Sequence, residues 1–278
     1  MPPITQPQTG FAELNGTKFY YEVAGAGQPL VLVHAGIADC TMWDEQFKVF
    51  SQHYQVIRYD MRGYGQTALV DQPYAHYQDL AALLSFLGVQ RAHVLGCSMG
   101  GTTALDFTLT HPERVSRLIA VTCRPEGYAF TSAPPPQLDA LEAVFQAGDF
   151  EQLSELEVQM WVDGPMRTSH QVDAALRDRV RAMNVVALKN EALELGQPQP
   201  LDPPAAQRLS EISAPTLVMI GDLDRPVMRS AADFMAQRIP NAHKLVISGT
   251  AHLPNMEQPD LFNKLVLDFL QQAAKGAN

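Results

Sequence analysis

The sequence predicts an α/β fold, a mostly parallel sheet with helices on both faces into which an all-helical segment is inserted. Three observations carry this. Short apolar runs of strand length alternate with stretches of helical periodicity. The runs are apolar on consecutive residues, as strands covered on both faces are. The alternation stops between Arg124 and about Leu209, where only helical patterns occur. Alternating strand and helix signals imply right-handed crossovers between parallel strands.

Taken in order, the chain starts antiparallel: FAELNGTKFYYEVAG reads as two strands around Asn15-Gly16, a dipeptide suited to a type I′ turn because both central residues take positive φ. Six further strands are expected at Leu30 to Val33, Tyr54 to Tyr59, Ala92 to Cys97, Arg117 to Thr122, Thr216 to Ile220 and Lys244 to Ile247. Leu80, Leu83, Leu84 and Leu87 give Tyr77 to Leu87 a helical stripe, and a last helix starts at Pro259, with Pro at its first position. In the inserted segment, helical patterns at Leu138 to Phe145, Phe150 to Trp161 and Val172 to Leu195 follow Pro134-Pro135-Pro136. Pro198, Pro200, Pro203 and Pro204 then return the chain to the sheet at Pro215. The expected division is a core of residues 1–123 and 210–278 with a helical cap of residues 124–209.

Composition narrows the function. The 278 residues are 46% hydrophobic and 18% charged, against a usual charged share of about 25%, which is a globular chain with ample core. With 30 Asp plus Glu against 20 Lys plus Arg the net charge is −10, and no basic run occurs, which disfavours nucleic-acid and anionic-membrane partners. The first ten residues lack a charged and an apolar region, and no stretch reaches the roughly 18 apolar residues of a membrane span. A cytoplasmic protein is the expectation. Cys40, Cys97 and Cys123, odd in number and widely spaced, suit reduced thiols. No metal-ligand spacing appears, and Gly25-Ala26-Gly27 precedes a strand instead of following one, so it is not a dinucleotide fingerprint. No metal or dinucleotide site is therefore expected, and the oligomeric state is left open.

The chemistry concentrates after the strand Ala92 to Cys97, where Gly96-Cys97-Ser98-Met99-Gly100 spells G-x-S-x-G before a helical run. A strand-to-helix turn this sharp needs small neighbours, and its strained serine projects Oγ above the sheet. Cys97, beside that serine, is expected to turn into the core as a small hydrophobe. A serine hydroxyl needs a base, and the base needs an orienting acid, in the chain order Ser, acid, His. His252 lies in the small-residue loop Ser248 to Pro254, after the last strand; the other histidines sit on surface-type segments, at strand starts, or before the serine. Asp222 and Asp224 both follow the strand Thr216 to Ile220. Asp222, nearest the sheet, suits a local Asx turn, whereas Asp224, farther into the loop, suits an acid reaching His252. Backbone N–H groups of Met99 and Gly36, the latter in His34-Ala35-Gly36-Ile37, are the candidate oxyanion donors.

Over residues 11–270 these features resemble the α/β-hydrolase superfamily. His34-Ala35-Gly36 resembles its oxyanion loop, with Ala35 where Gly is usual, and Arg58-Tyr59-Asp60-Met61-Arg62-Gly63-Tyr64-Gly65 resembles its RYDxRGxG turn, followed by Thr67 where Ser is usual. Within it, Met42-Trp43, that turn and Ser98-Met99-Gly100-Gly101 look most like 3-oxoadipate enol-lactonases and related small carboxylesterases. The resemblance implies an eight-stranded sheet and a cofactor-free serine hydrolase of esters or lactones. It also places the acid three residues after Gly221, which selects Asp224. Serine at the elbow, where haloalkane dehalogenases and epoxide hydrolases carry Asp, counts against those two chemistries. Hydrolytic C–C cleavage of a β-diketone-like substrate uses the same triad and stays open, as does, more remotely, a non-catalytic ligand receptor. Ile37, Phe130, Phe145, Met160, Trp161 and Met183 are candidates to line a substrate pocket, although the cap residues among them equally describe its own packing. Arg124 and Arg167 are candidates to pair a substrate carboxylate, or simply solvated side chains.

Overall fold

The computed structural model describes residues 4–129 and 138–272. Strands β1 (Ile4–Leu14) and β2 (Thr17–Gly25) pair antiparallel around Asn15 and Gly16, whose φ values of 46° and 80° are those the Asn-Gly turn needs. Then follow β3 (Pro29–Val33), β4 (Gln55–Tyr59), β5 (Ala92–Cys97), β6 (Val115–Val121), β7 (Thr216–Gly221) and β8 (Ala242–Ile247). The eight form one sheet in the order β1-β2-β4-β3-β5-β6-β7-β8, antiparallel as far as the β2–β4 pairing and parallel beyond it.

Two helical layers cover it. On one face α2 (His76–Phe86), α3 (Met99–Thr110) and α7 (Pro226–Arg238) pack Leu80, Leu105, Phe107 and Met235 against Val31, Val94, Leu118 and Val218. On the other, α1 (Asp44–Phe50) and α8 (Pro259–Gln271) pack Phe47, Phe50, Phe262 and Val266 against Leu30, Leu32, Leu95 and Leu217. Adjacent strand residues therefore serve opposite cores, which is why β5 and β7 are buried throughout and read as unbroken apolar runs. At the sheet edge β8 departs from that expectation: His243, Lys244 and Val246 are exposed, because an edge strand has a neighbour on one side only.

The segment between β6 and β7 carries α4 (Leu138–Gln146), α5 (Phe150–Val158) and α6 (Ala174–Glu191). Two expectations are corrected here. The pattern Phe150 to Trp161 is not one α-helix, since Gln159–Asp163 is a π-helical turn. Nor is the segment all-helical, since Gln197–Pro198 pairs in parallel with Pro73–Tyr74, a two-residue bridge too short to leave a periodic signal. Pro134-Pro135-Pro136 and Phe130 lie outside the described residues. Cys40, Cys97 and Cys123 are buried free thiols, and among the described residues no helix is long and apolar enough to cross a membrane.

Asp106, on α3, gives the fold a pH signature. It is 7% exposed and its Oδ1 lacks a hydrogen-bond partner. Burial, helped by Glu126 and opposed by Arg208, pushes its carboxyl up to about 7. The native state thus holds a proton that the unfolded chain releases near pH 4, so stability falls as pH rises between about 4 and 7, by up to about 4 kcal/mol. Asp106→Asn is expected to raise Tm at about pH 8 and leave it unchanged near pH 4; an equal shift at both, in thermal unfolding, would remove the titration from the explanation.

Candidate active site

Chain direction reverses between β5 and α3 at a single residue. Ser98 takes φ 53° and ψ −117°, a conformation that costs a side-chain-bearing residue on the order of 1–3 kcal/mol and persists only when its surroundings impose it. Neighbouring close approaches impose it. A Cβ on Gly96 would stand 2.1 Å from the Gly100 carbonyl oxygen, and one on Gly100 would stand 2.3 Å from that of Val33. Glycine is the residue that lets strand, turn and helix pack so closely.

His252 meets this turn from the loop after β8. Its Nε2 lies 2.8 Å from Ser98 Oγ and its Nδ1 lies 2.9 Å from Asp224 Oδ2. An ionised carboxylate only accepts, so Nδ1–H donates to Asp224 and Nε2 is left to accept the Ser98 hydroxyl. Asp224 and His252 are 2% and 1% exposed, and the second oxygen of Asp224 accepts the Arg225 N–H at 2.7 Å. The His252 carbonyl accepts the Thr122 hydroxyl at 2.8 Å. Asp222 does not form the expected Asx turn. Its two oxygens reach across to Ser248 Oγ (2.8 Å) and the Gly249 N–H (2.7 Å), because β8 ends alongside β7 and offers nearer donors. Asp222 thus ties the histidine loop to the acid loop without touching the imidazole.

On the other side of Ser98, His34 fixes the turn after β3. Its Nδ1–H donates to the Ala35 carbonyl (2.8 Å) and its Nε2 accepts the Met61 N–H (2.9 Å). Burial lowers the His34 pKa and favours the neutral ring that this pairing needs. Gly36 follows, close enough to Met99 that a Cβ on it would lie 3.5 Å from the Met99 Cβ. The Arg58 to Gly65 turn is braced behind it. Asp60 accepts the N–H groups of Cys40 (2.9 Å) and Gln66 (2.7 Å), and Arg62 pairs with the buried Asp79 at 2.9 Å. The Cys97 thiol, pushed up to about 12 by burial, lies 3.3 Å from Thr122 Oγ1 and is no nucleophile at neutral pH.

Of the other residues singled out in the sequence, Ile37 is buried beside Gly36, and Trp161 packs its ring against His252, 4.5 Å between centroids. Phe145 pairs with Phe150 at 6.4 Å within the inserted segment, and Met183 lies 3.4 Å from the Thr41 hydroxyl. The Arg124 carbonyl accepts the Thr102 hydroxyl at 2.8 Å. Arg167 is neither solvated nor open to a substrate, since it pairs with Glu257 at 2.7 Å. A cavity of about 560 Å³ beside Met99 is lined by Tyr64, Leu69, Tyr74, Ala187 and Leu195 together with acidic Glu191 and Glu194. A second, of about 290 Å³, adjoins it at Tyr74, His76 and Met99. Sequence reasoning missed these walls because they join the RGxG turn to the far end of α6, distant in sequence and without a motif. His76 in particular lies on a surface-type segment, yet its Nδ1 is buried and burial pushes it down to about 4.

Residues 28–259 match the family described as alpha/beta hydrolase fold. The chain is 29% identical to a 2-hydroxy-6-oxononadienedioate/2-hydroxy-6-oxononatrienedioate hydrolase of Burkholderia vietnamiensis, over 92% of this chain and 91% of the relative. It is 28% identical to a pimeloyl-[acyl-carrier protein] methyl ester esterase of Yersinia enterocolitica, over 92% and 98%. Among solved structures, the enol-lactonase from Burkholderia xenovorans superposes with a TM-score of 0.77 at 24% identity, covering 94% of this chain and 99% of that one, a likeness of fold.

Proposed function

The chain belongs to the alpha/beta hydrolase family, and from that premise we propose that it is a serine hydrolase of small carboxylic esters or lactones, working through an acyl-enzyme. One observation carries the reading: the unbroken line of hydrogen bonds from Ser98 Oγ through the imidazole to Asp224, at 2.8 and 2.9 Å. Neutral His252 takes the Ser98 proton as Oγ attacks the carbonyl carbon, and the carbonyl π pair moves onto oxygen. The Gly36 and Met99 N–H groups receive that oxyanion. Its collapse expels the alcohol or enol oxygen, which takes the proton from the imidazolium. Water, deprotonated by the same imidazole, then attacks the acyl-enzyme, and Ser98 leaves reprotonated. The inserted segment, residues 124–209, serves as a cap over this site.

Hydrolytic C–C cleavage is the second reading, because a relative at 29% identity carries that kind of name. A dicarboxylate of the sort that name denotes fits the cavity beside Met99 poorly. Its acidic groups are Glu191 and Glu194, and its arginine, Arg62, is already committed to Asp79. An ester or lactone with an uncharged acyl chain suits these walls better.

The test is a panel of esters and lactones graded by acyl length, with carboxylated members, beside fluorophosphonate labelling read by peptide mass. Labelling at Ser98 with turnover of the uncharged members is expected; label on Cys97, or turnover of carboxylated substrates alone, would overturn the reading.

A further inference from the structure

A short stretch of the inserted segment, residues 161–167, grips the loop that carries His252. The Trp161 ring lies against the imidazole at 4.5 Å, 39° from parallel, and the Trp161 carbonyl accepts the His252 N–H at 3.3 Å. Gly164 comes so close to the acid and histidine loops that a Cβ on it would stand 2.8 Å from the Leu223 carbonyl oxygen and 3.1 Å from the Ala251 Cβ. Arg167 donates to the Gly249 carbonyl at 3.4 Å and pairs with Glu257 at 2.7 Å, and that carboxylate accepts the Ala251 N–H at 2.7 Å. The same guanidinium is tied back to its own turn through the Val162 and Asp163 carbonyls, at 2.7 and 2.9 Å. Asp163 anchors the turn to α6 through Arg177 at 2.8 Å.

The indole also meets the acid side. The Arg225 guanidinium sits 4.9 Å from its ring centroid, while the Arg225 N–H holds the Asp224 oxygen that the histidine does not use. One aromatic ring therefore packs on His252 and on the side chain of Arg225, the residue whose backbone N–H holds Asp224. An imidazole serving two partners through opposite nitrogens loses both when its ring turns, and an indole packed on its face leaves no room for that turn.

We propose that Trp161 is a positioning residue for His252, held in place by the Arg167–Glu257 pair, so that the inserted segment sets the competence of the catalytic base. This rests on the serine-hydrolase reading. Neither residue takes part in a covalent step, and neither needs to touch substrate.

The test compares p-nitrophenyl acetate with p-nitrophenyl octanoate. Trp161→Leu is expected to lower kcat about 10²-fold, the scale of an ångström-sized misplacement, by the same factor for both esters and with KM unchanged. The rate of fluorophosphonate labelling at Ser98 falls in parallel, and Trp161→Phe, which restores a ring, recovers most of the loss. Arg167→Met, which leaves the indole in place, is expected to lower kcat in the same manner and reports on the clamp should Trp161→Leu not fold. A loss confined to octanoate, or to KM, would make Trp161 an acyl-pocket wall and overturn the proposal. So would wild-type kcat in either folded variant. Wild-type protein that takes no label at Ser98 sinks the hydrolase reading itself, and the clamp with it.

Discussion

Ser98→Ala is expected to lower kcat about 10⁶-fold, the scale on which removing a triad nucleophile acts. The remaining rate is that of oxyanion donors and bound water, and no covalent adduct forms with a fluorophosphonate. Stability separates this chemical loss from damage to the fold. Serine and alanine both carry a Cβ, so either suffers at the φ of 53° that the elbow imposes, and Ser98→Ala is expected to keep the wild-type Tm. Glycine relaxes that position, so Ser98→Gly is expected to be as inactive yet more stable by about 1 kcal/mol. Thermal unfolding and burst-phase kinetics read the two effects apart. Hydrolysis within tenfold of wild type in folded Ser98→Ala would show that another group attacks the ester.

Much of this arrangement is legible in the chain because its determinants are local. Asn15-Gly16 needs positive φ at both residues, Gly96 and Gly100 have no room for a Cβ, and Pro259 starts its helix at the first position. All but one are steric facts about neighbours in sequence; Gly100 is crowded by Val33 and His34 at the end of the adjacent strand, but its place in the G-x-S-x-G pattern still marks it. Strands β5 and β7 announce themselves because two helical layers bury every residue in them. What stays hidden depends on partners that meet only in three dimensions. Arg167 reads as a solvated cation until Glu257, 90 residues on, closes against it. Asp222 reads as a turn-former because the Ser248 and Gly249 donors arrive with a different strand. The walls of the cavity beside Met99 come from the RGxG turn and the end of α6, which share no motif.

The same distinction between local and distant partners separates the two aspartates after β7. Asp224→Asn is expected to lower kcat about 10⁴-fold, roughly 5 kcal/mol of transition-state stabilisation, with little change in KM. Asp224 Oδ2 stands 2.9 Å from His252 Nδ1 in a buried pair, where an ionised carboxylate accepts Nδ1–H, leaves Nε2 free to take the serine proton, and stabilises the imidazolium that follows. An asparagine there can present its amide NH₂, which favours the tautomer with its proton on Nε2, the wrong nitrogen for a base facing Ser98. Substrate binding is untouched because the carboxylate points away from the serine. Asp222→Asn loses charge on a carboxylate that holds Ser248 Oγ and the Gly249 N–H, and the amide oxygen can keep one of these bonds. Its expected cost is at most about tenfold in kcat, through a looser histidine loop. Steady-state kinetics of both folded variants decide the assignment: a near-wild-type Asp224→Asn beside a crippled Asp222→Asn would move the orienting acid to Asp222.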